Sequence, residues 1–148
     1  MSVTDSGPRT AQATEPPAAA DPVVSTWRAI AASYHAVTCA LEQELARHGL
    51  GVSEFEVLDR LAETPEHKFR AQELAEAVHL SQSALSRLID RLVKHGLVER
   101  CLCGEDRRGI YVIMTEAGQQ RHADAAPAHR DVLARVLPAT APAATIFS

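Results

Sequence analysis

The chain has 148 residues, of which 46% are hydrophobic, 23% are charged and only 4% are aromatic, and its formal net charge is −4 at pH 7. This length allows one domain with an aliphatic core and excludes two. No apolar run approaches the roughly 20 residues that a bilayer span requires, and the first residues lack the basic-then-apolar order of a secretory signal, so we expect a cytoplasmic protein with no membrane partner.

The charges are unevenly distributed along the chain. Residues 1–65 carry 4 basic and 9 acidic side chains, a net charge of −5, whereas residues 66–114 carry 8 and 7, a net charge of +1. The acidic total argues weakly against a nucleic-acid binder, but only the face on which the central basic residues lie can decide the point.

The N-terminal part predicts a tail followed by a long helix. Residues 1–20 are rich in Ala, Pro, Thr and Ser without an apolar period, which is typical of a disordered segment, and the folded domain is expected over residues 21–148. Asp21 as N-cap and Pro22 at the first position begin a helix of roughly 25 residues that ends near Gly49. Its apolar residues recur every three or four positions, and a stripe of this length predicts packing against a partner as well as within the domain.

A helix-turn-helix and a hairpin are predicted in the central part. Ser53 and Glu56 form a potential capping box for a second helix, and residues 67–70 are interpreted as a short edge strand. A compact helix, a break and a new N-cap at Ser81 give a helix-turn-helix over residues 71–96. Residues 97–114 change to the period of two strands joined by "GEDRR". Thr115 caps a last helix that we expect Pro127 to interrupt, with a fraying end.

The second helix of the helix-turn-helix has two chemically distinct faces. Its apolar residues share one face, and the other face carries Gln82, Ser83, Ser86, Arg87, Asp90, Arg91 and Lys94. A solvated surface helix is usually rich in Glu and Lys pairs. Small hydrogen-bonding residues followed by arginines instead suit a helix that enters the major groove, where Gln and Arg make bidentate contacts with bases. The capped N-terminus also directs free amides toward phosphate.

The hairpin tip strengthens this interpretation. Arg107 and Arg108 can reach phosphates or the minor groove, where the negative potential is strongest. Asp106 would repel DNA unless it orients a neighbouring arginine. A recognition helix followed by an arginine-tipped ribbon predicts a winged helix, and the alternative is a surface turn with a charge cluster.

The stretch "ELAEAVHLSQSALSRLIDRLVKHGLVERCLCGEDRRGIYVIMTEAG" resembles the core of the MarR family of bacterial winged-helix transcription regulators, and the resemblance extends over about residues 25–137. Its most specific parts are "LSQSALSRLIDRL", "GLVER" and "DRRGIYVIMTEAG". The resemblance implies a mainly α fold with a small β-hairpin (α+β): a winged helix-turn-helix domain, with the wing at residues 97–114, and flanking dimerisation helices. It also implies a homodimer that binds a palindromic operator, as a repressor released by a small-molecule effector, in the cytoplasm at the nucleoid.

The residues of the family motif carry over by position. The resemblance implies that Gln82, Ser83, Ser86 and Arg87 read the groove. It implies that Asp106 and Arg108 form the wing's Asp-x-Arg pair, with Arg108 in the minor groove and Arg107 on a neighbouring phosphate. Family members often end with a further helix, whereas "PATAPAATIFS" is short and proline-bearing. More of the dimer contact is therefore expected on the first helix and on residues 116–137.

Three hypotheses for a sensor remain open. The cysteines are an odd, widely spaced set and are expected as reduced thiols, but Cys101 and Cys103 lie on the same side of a strand and could form a redox switch beside the wing. They are too few for a structural zinc site, and we predict no metal or other cofactor. His35 and Cys39, one helical turn apart, form the alternative of a metal-responsive pair. The family's ligand pocket places Trp27, Tyr34 and His35 as candidates for an effector contact, against the plainer interpretation of core or dimer packing.

Two other classes of function are weighed against DNA binding. No Gly-rich phosphate loop, nucleophile elbow or zinc-protease helix is found in the sequence, so an enzyme is not expected. A winged helix that binds a protein instead of DNA is the remaining alternative. Dependence of binding on the arginines at positions 87, 91, 107 and 108 separates it from a DNA-binding regulator.

Overall fold

A computed structural model of the chain describes residues 2, 7, 18–102 and 109–140, except for the side chains of residues 138–140. The predicted disordered tail and the predicted fraying end lie mostly outside the described residues. In chain order the elements are α1 (Pro22–Ala46), α2 (Val52–Ala62), β1 (Lys68–Arg70), α3 (Ala71–Ala77), α4 (Gln82–Lys94), β2 (Val98–Cys101), β3 (Tyr111–Met114) and α5 (Glu116–Thr140). This order confirms the predicted fold class of a mainly helical domain with a small sheet.

Helix α1 begins at the predicted residue and ends at Ala46, three residues before the predicted Gly49. The Asp21 carboxylate accepts a hydrogen bond from the Val23 amide at 2.9 Å, and Pro22 occupies the first helical position. The helix is 25 residues long, and the turn after it places Gly49 at a φ of +68°. That left-handed conformation is one that glycine adopts without steric cost, so the chain can reverse sharply into α2.

The apolar stripe of α1 is divided between the core and the surface. Val37, Leu41 and Leu45, in the second half of the helix, are buried. In the first half, Trp27 is 67% exposed and Tyr34 is 72% exposed. The second half of α1 therefore helps to build the core, and the first half leaves its large apolar side chains uncovered in a single chain.

Helix α2 starts two residues before the predicted position, so the predicted capping box of Ser53 and Glu56 is wrong. The N-cap is Gly51, whose extended backbone precedes the helix and whose amide donates to Glu54 Oε1 at 3.2 Å. Glu56 is instead paired with Arg60, 3.3 Å away. The tight turn at Gly49 lets the new helix begin at once, ahead of the first residue with a capping side chain.

The hairpin is part of a three-stranded antiparallel sheet in the order β1-β3-β2. Strand β1 confirms the predicted edge strand, with Lys68 opposite Ile113, and β2 pairs with β3 from Val98 opposite Met114. Beyond the end of β1, the Ala71 amide donates to the Ile110 carbonyl at 2.9 Å. The base of the wing is therefore hydrogen-bonded to the start of α3.

Helix α5 is continuous, so the predicted interruption at Pro127 is wrong. The Thr115 hydroxyl caps it as predicted, accepting from the Gly118 amide at 3.0 Å, and the helix runs from Glu116 to Thr140. Ala125 and Val132, on either side of the proline, are both buried in the core. Tertiary packing on both sides thus holds the helix together where local propensity would break it.

One hydrophobic core joins these elements. Its largest fully buried side chains come from α1, α2, α3, α4, the sheet and α5, and they include Phe55, Leu58, Leu61, Leu85 and Leu92. Helices α1 and α5 pack against each other along one side. Within the part of the chain that the structure describes, none of the helices combines the length and the apolar content needed to cross a membrane.

Candidate nucleic-acid interface

Helix α4 separates its apolar and polar residues as predicted. Leu85, Leu88, Ile89 and Leu92 are buried, while Val93, also predicted on the apolar face, is 38% exposed. The predicted groove-reading residues Gln82, Ser83, Ser86, Arg87 and Arg91 are all exposed. The Ser81 hydroxyl accepts from the Ala84 amide at 3.1 Å, which confirms the predicted N-cap. The core contacts therefore fix α4 with its polar face toward solvent.

The basic side chains on this face of α4 are exposed. Among the described residues, neither Arg87 nor Arg91 forms an ion pair or a side-chain hydrogen bond, so both guanidinium groups can bind an external anion. The C-terminal turn of α4 also carries Lys94. Arginine presents a planar fork of donors that suits phosphate and guanine, so this face has the chemistry of a nucleic-acid contact.

The side chains at the start of α4 also contact their neighbours within the helix-turn-helix. The Gln82 amide donates to the carbonyl of Gln72 in α3 at 3.4 Å. The Ser81 and Ser83 hydroxyl oxygens are 3.3 Å apart. These contacts are weak and exposed, and they leave polar atoms at the N-terminus of α4 near one another.

The tip of the predicted wing lies outside the described residues, and Asp106, Arg107 and Arg108 lie within it. The strands on either side of the tip are described, and Cys101 opposite Tyr111 is their last pair. A Cβ on Gly109 would lie 3.2 Å from Arg70 Nε, which places the guanidinium of Arg70 against the backbone at the base of the wing. Arg70 is a basic residue of this region whose position the sequence pattern did not indicate.

Arg100 in β2 is the second such residue. Its Nη2 atom lies 2.6 Å from Asp90 Oδ1 and donates to the Ser86 carbonyl at 3.1 Å. Both partners are in α4, so a single side chain links α4 to β2. The sequence predicts that β2 is a strand. It does not show that Asp90, ten positions before Arg100, lies opposite Arg100.

The cysteines and histidines proposed as sensors occupy separate places. Cys101 is disulfide-bonded, unlike the reduced thiol that we expected, and Cys103 lies outside the described residues. Cys39 is a free thiol, with its Sγ atom 3.6 Å from Nε2 of the exposed His35. Among the described residues, no group of three or more His, Cys, Asp or Glu side chains is arranged to hold a metal ion.

A cavity of about 490 Å³ lies between α1, α2, the turn before α4, and α5. Of the predicted effector contacts, Tyr34 lines it, whereas Trp27 and His35 are not among its lining residues. Half of its lining residues are aliphatic, and Arg60 and His129 are among the polar ones. Arg60 is already paired with Glu56 and lies 3.8 Å from Glu63, so its charge is largely compensated.

A polar cluster connects α2 to α5 beside this cavity. The buried Asp59 carboxylate accepts hydrogen bonds from His122 Nε2 and from Arg130 Nη2, both at 2.7 Å. Arg130 also contacts His129 Nδ1 at 2.8 Å. Phe55 stacks on both histidines, with ring centroids 5.3 Å from His122 and 4.3 Å from His129. The cluster went unpredicted, although an acid four residues after Phe55, on a buried helix face, requires such partners.

Three members of the cluster, Asp59, His129 and Arg130, have shifted pKa values. Burial acts to raise the pKa of Asp59, but the hydrogen bonds and charges of Arg130 and His122 outweigh it and hold that pKa below its ordinary value. Burial, helped by the neighbouring Arg130 charge, lowers the pKa of His129. The hydrogen bond to Asp59 raises the pKa of Arg130. An ionised Asp59, a charged Arg130 and a neutral His129 therefore coexist in the folded state.

A family model and several solved structures match the chain to the same family. The family model described as "MarR family" matches residues 48–109. The crystal structure of AbsC, a MarR family transcriptional regulator from Streptomyces coelicolor, is 30% identical with a TM-score of 0.76, covering 84% of each chain. That of Sco3205, a MarR family transcriptional regulator from the same organism in complex with DNA, is 28% identical with a TM-score of 0.75, covering 89% of this chain and 83% of Sco3205.

A curated relative agrees over a shorter stretch. The HTH-type transcriptional repressor YetL of Bacillus subtilis is 28% identical over 97 residues, which are 66% of this chain and 58% of YetL. The match therefore spans less than two thirds of that relative. The winged helix-turn-helix and the likeness to AbsC over most of both chains show that this chain belongs to the MarR family, whose members are transcriptional regulators and not enzymes.

Proposed function

We propose that the protein is a homodimeric transcription regulator that binds an operator of two related half-sites through α4 and the wing, and that it acts as a repressor in the cytoplasm, at the nucleoid. The observation that carries the proposal is the exposed polar face of α4, where Arg87 and Arg91 have no protein partner among the described residues. The similar protein Sco3205 is in complex with DNA, and YetL is named a repressor.

The proposed binding mode divides the contacts between the two grooves. Gln82, Ser83, Ser86 and Arg87 at the start of α4 approach base edges in the major groove, with Arg91 on the phosphate backbone. In the wing, Arg108 enters the minor groove, Asp106 orients it, and Arg107 binds a neighbouring phosphate. Phosphate contacts of this kind make affinity fall steeply as salt concentration rises.

The proposed dimer uses the first half of α1 and the outer part of α5. The exposed Trp27 and Tyr34 of α1, together with Leu137 of α5, which is 41% exposed, form apolar surface that a single chain leaves uncovered. Pairing two chains there would bury it, and a two-fold dimer matches a palindromic operator.

An effector would occupy the cavity beside Tyr34. The cavity lies between the proposed dimerisation helices and the helix-turn-helix, so a bound small molecule would contact both parts and could change their relative position. Redox control at Cys101 and Cys103, in which release would follow reduction because Cys101 is already disulfide-bonded, or a metal at His35 and Cys39, is the alternative. A thermal-shift screen with phenolic acids, metals, oxidants and reductants, followed by DNA-release assays, separates these.

The test of DNA binding is a salt titration of binding to a duplex that the wild-type protein selects from a random-sequence pool. Arg87→Ala and Arg108→Ala should each weaken binding at least several-fold, with the dimer intact, because each removes a proposed DNA contact. Arg47→Ala is the matched control, since Arg47 lies at the end of α1 with 76% of its side chain exposed. If no duplex is enriched, or if all three variants bind like the wild type, the proposal is wrong. Binding of a protein in place of DNA would then be the function to test.

A substitution at Gln82 tests base reading separately. We expect Gln82→Ala to change the preferred base at one position of each half-site more than it changes affinity for a scrambled duplex, because base contacts carry the sequence information. Equal losses on both duplexes would argue against a base contact by Gln82.

A further inference from the structure

Three residues of α4 form a stripe that faces the wing. Gln82, Ser86 and Asp90 are spaced four apart, so they lie above one another on one side of the helix. Between this side and the sheet is a crevice of about 140 Å³ whose lining includes Gln82, Ser86, Arg100 and Ile110. The next stripe, with Ser83, Arg87 and Arg91, lies about 100° further around the helix and is exposed.

Arg100 crosses this crevice from β2. A single nitrogen, Nη2, contacts the Asp90 carboxylate at 2.6 Å and the Ser86 carbonyl at 3.1 Å. The Ser86 carbonyl points along the helix axis toward Asp90, so a single nitrogen reaches a backbone acceptor and a side-chain acceptor at the same turn of α4. Its side chain is 35% exposed, which makes the pair partly shielded from water.

The position of Asp90 is unfavourable for DNA binding unless its charge is used within the protein. It lies on the exposed part of α4 between Arg87 and Arg91, and its side chain is 64% exposed. A free carboxylate at that position would repel phosphates. The ion pair with Arg100 neutralises it and at the same time uses it as an attachment point for β2.

We infer that Arg100 is a positioning residue, which with Asp90 fixes the rotation of α4 about its own axis relative to the wing. This inference rests on the proposed DNA-binding function. Leu85, Leu88, Ile89 and Leu92 hold α4 through non-directional apolar contacts, whereas the charged hydrogen bonds of Arg100 have direction. With this rotation fixed, the stripe of Ser83, Arg87 and Arg91 and the wing contact the same DNA at the same time.

Positioning and direct contact predict opposite effects at Asp90. If electrostatics alone governed binding, Asp90→Ala would remove a repulsive charge and tighten binding. If Asp90 acts through Arg100, the same substitution frees α4 and weakens binding to the selected duplex. A direct phosphate contact by Arg100 would also change the salt dependence. Each lost contact reduces the magnitude of the slope of log affinity against log salt by about 0.9.

The experiment measures the affinity of the dimer for the duplex selected by the wild type and for a scrambled duplex of equal length. We expect Asp90→Ala and Arg100→Gln each to weaken binding to the selected duplex on the order of fivefold, the size of a favourable partly exposed ion pair. The double variant should bind like Arg100→Gln alone, because the two residues act as one unit. The scrambled duplex and the salt slope should be unaffected by either substitution.

Glu99→Ala is the matched control, since Glu99 is the exposed acid next to Arg100 and forms no ion pair among the described residues. It should leave binding unchanged or tighten it slightly. Thermal unfolding of every variant checks that the fold persists. Arg100→Lys keeps the charge but lacks the planar guanidinium, so it should lose less affinity than Arg100→Gln without matching the wild type.

Tighter binding by Asp90→Ala, additive effects in the double variant, or a reduced salt slope for Arg100→Gln would each overturn the inference. Failure of the wild type to enrich any duplex would instead overturn the proposed function, so the two failures are distinguishable.

Discussion

Asp59 shows how a charged side chain is accommodated between two helices. Its carboxylate is nearly buried, and the two hydrogen bonds from α5 replace the water that it loses. Removing one partner of such a group leaves the other charge uncompensated, so the loss of any one charged member should destabilise the whole cluster. The attachment of α2 to α5 is consequently sensitive to the protonation of its members.

We expect the protein to lose stability on acidification in two stages. The pKa of His129 is lower in the folded chain than its ordinary value of 6.5, so the unfolded chain binds more protons just below that pH. The stabilising contribution of a neutral His129 is therefore fully present above pH 6.5, and it is lost as the pH drops toward the folded-state pKa. The lowered pKa of Asp59 adds a second loss below its ordinary value of 3.8. Chemical denaturation followed across this pH range measures both stages.

A substitution assigns the first stage to His129. His129→Asn keeps an acceptor for Arg130 but does not titrate, so the free energy of unfolding should vary less between pH 6.5 and 5 even if the variant is less stable overall. His95→Asn, at an exposed histidine outside the cluster, is the matched control for the loss of an imidazole. An unchanged slope in His129→Asn would contradict this assignment.

Residue types on α4 were predictable, but their partners were not. The two faces of α4 follow from the helical period, and the exposed Ser83, Arg87 and Arg91 lie where the period predicts them. The contact between Arg100 and Asp90 depends on how β2 lies against α4. A one-dimensional pattern does not contain that arrangement.

At the scale of elements, signals at helix ends were reliable where a capping side chain was present. Asp21, Ser81 and Thr115 all accept the expected backbone hydrogen bonds. The start of α2 was misplaced because Gly51 offers no side chain to recognise. The continuity of α5 through Pro127 was also missed, because packing on both sides of that residue overrides its local preference.

Pro127 should therefore be a costly residue within a helix that other contacts maintain. We expect Pro127→Ala to raise the free energy of unfolding by about 1–3 kcal/mol, since it restores a backbone hydrogen bond and removes the clash with the preceding turn. Pro127 is exposed, so no packing is lost. Pro65→Ala, in the exposed loop after α2, serves as the control and should change stability much less. A destabilised Pro127→Ala variant would mean that a bend in α5 is required for its packing.

At the scale of the whole molecule, the exposed apolar side chains in the first half of α1 are the surface that the proposed dimer would cover. The lone tryptophan, Trp27, lies in that half, and its environment distinguishes a monomer from the proposed dimer. Burial of an exposed aromatic side chain at a two-fold contact removes a large apolar area from water, and such side chains commonly dominate interface energy.

We expect the fluorescence emission of Trp27 to shift to longer wavelength as the protein is diluted and the dimer dissociates. Tyr34→Ala should raise the dimer dissociation constant by at least tenfold in sedimentation equilibrium, because an aromatic side chain at the centre of an interface typically contributes more than about 1.4 kcal/mol. Arg47→Ala, at an exposed position outside the apolar stripe, should leave dimerisation unchanged. A chain that sediments as a monomer at all concentrations, with constant emission, would show that the first half of α1 does not form the dimer contact. The proposed match between a two-fold protein and a palindromic operator would then lose its basis.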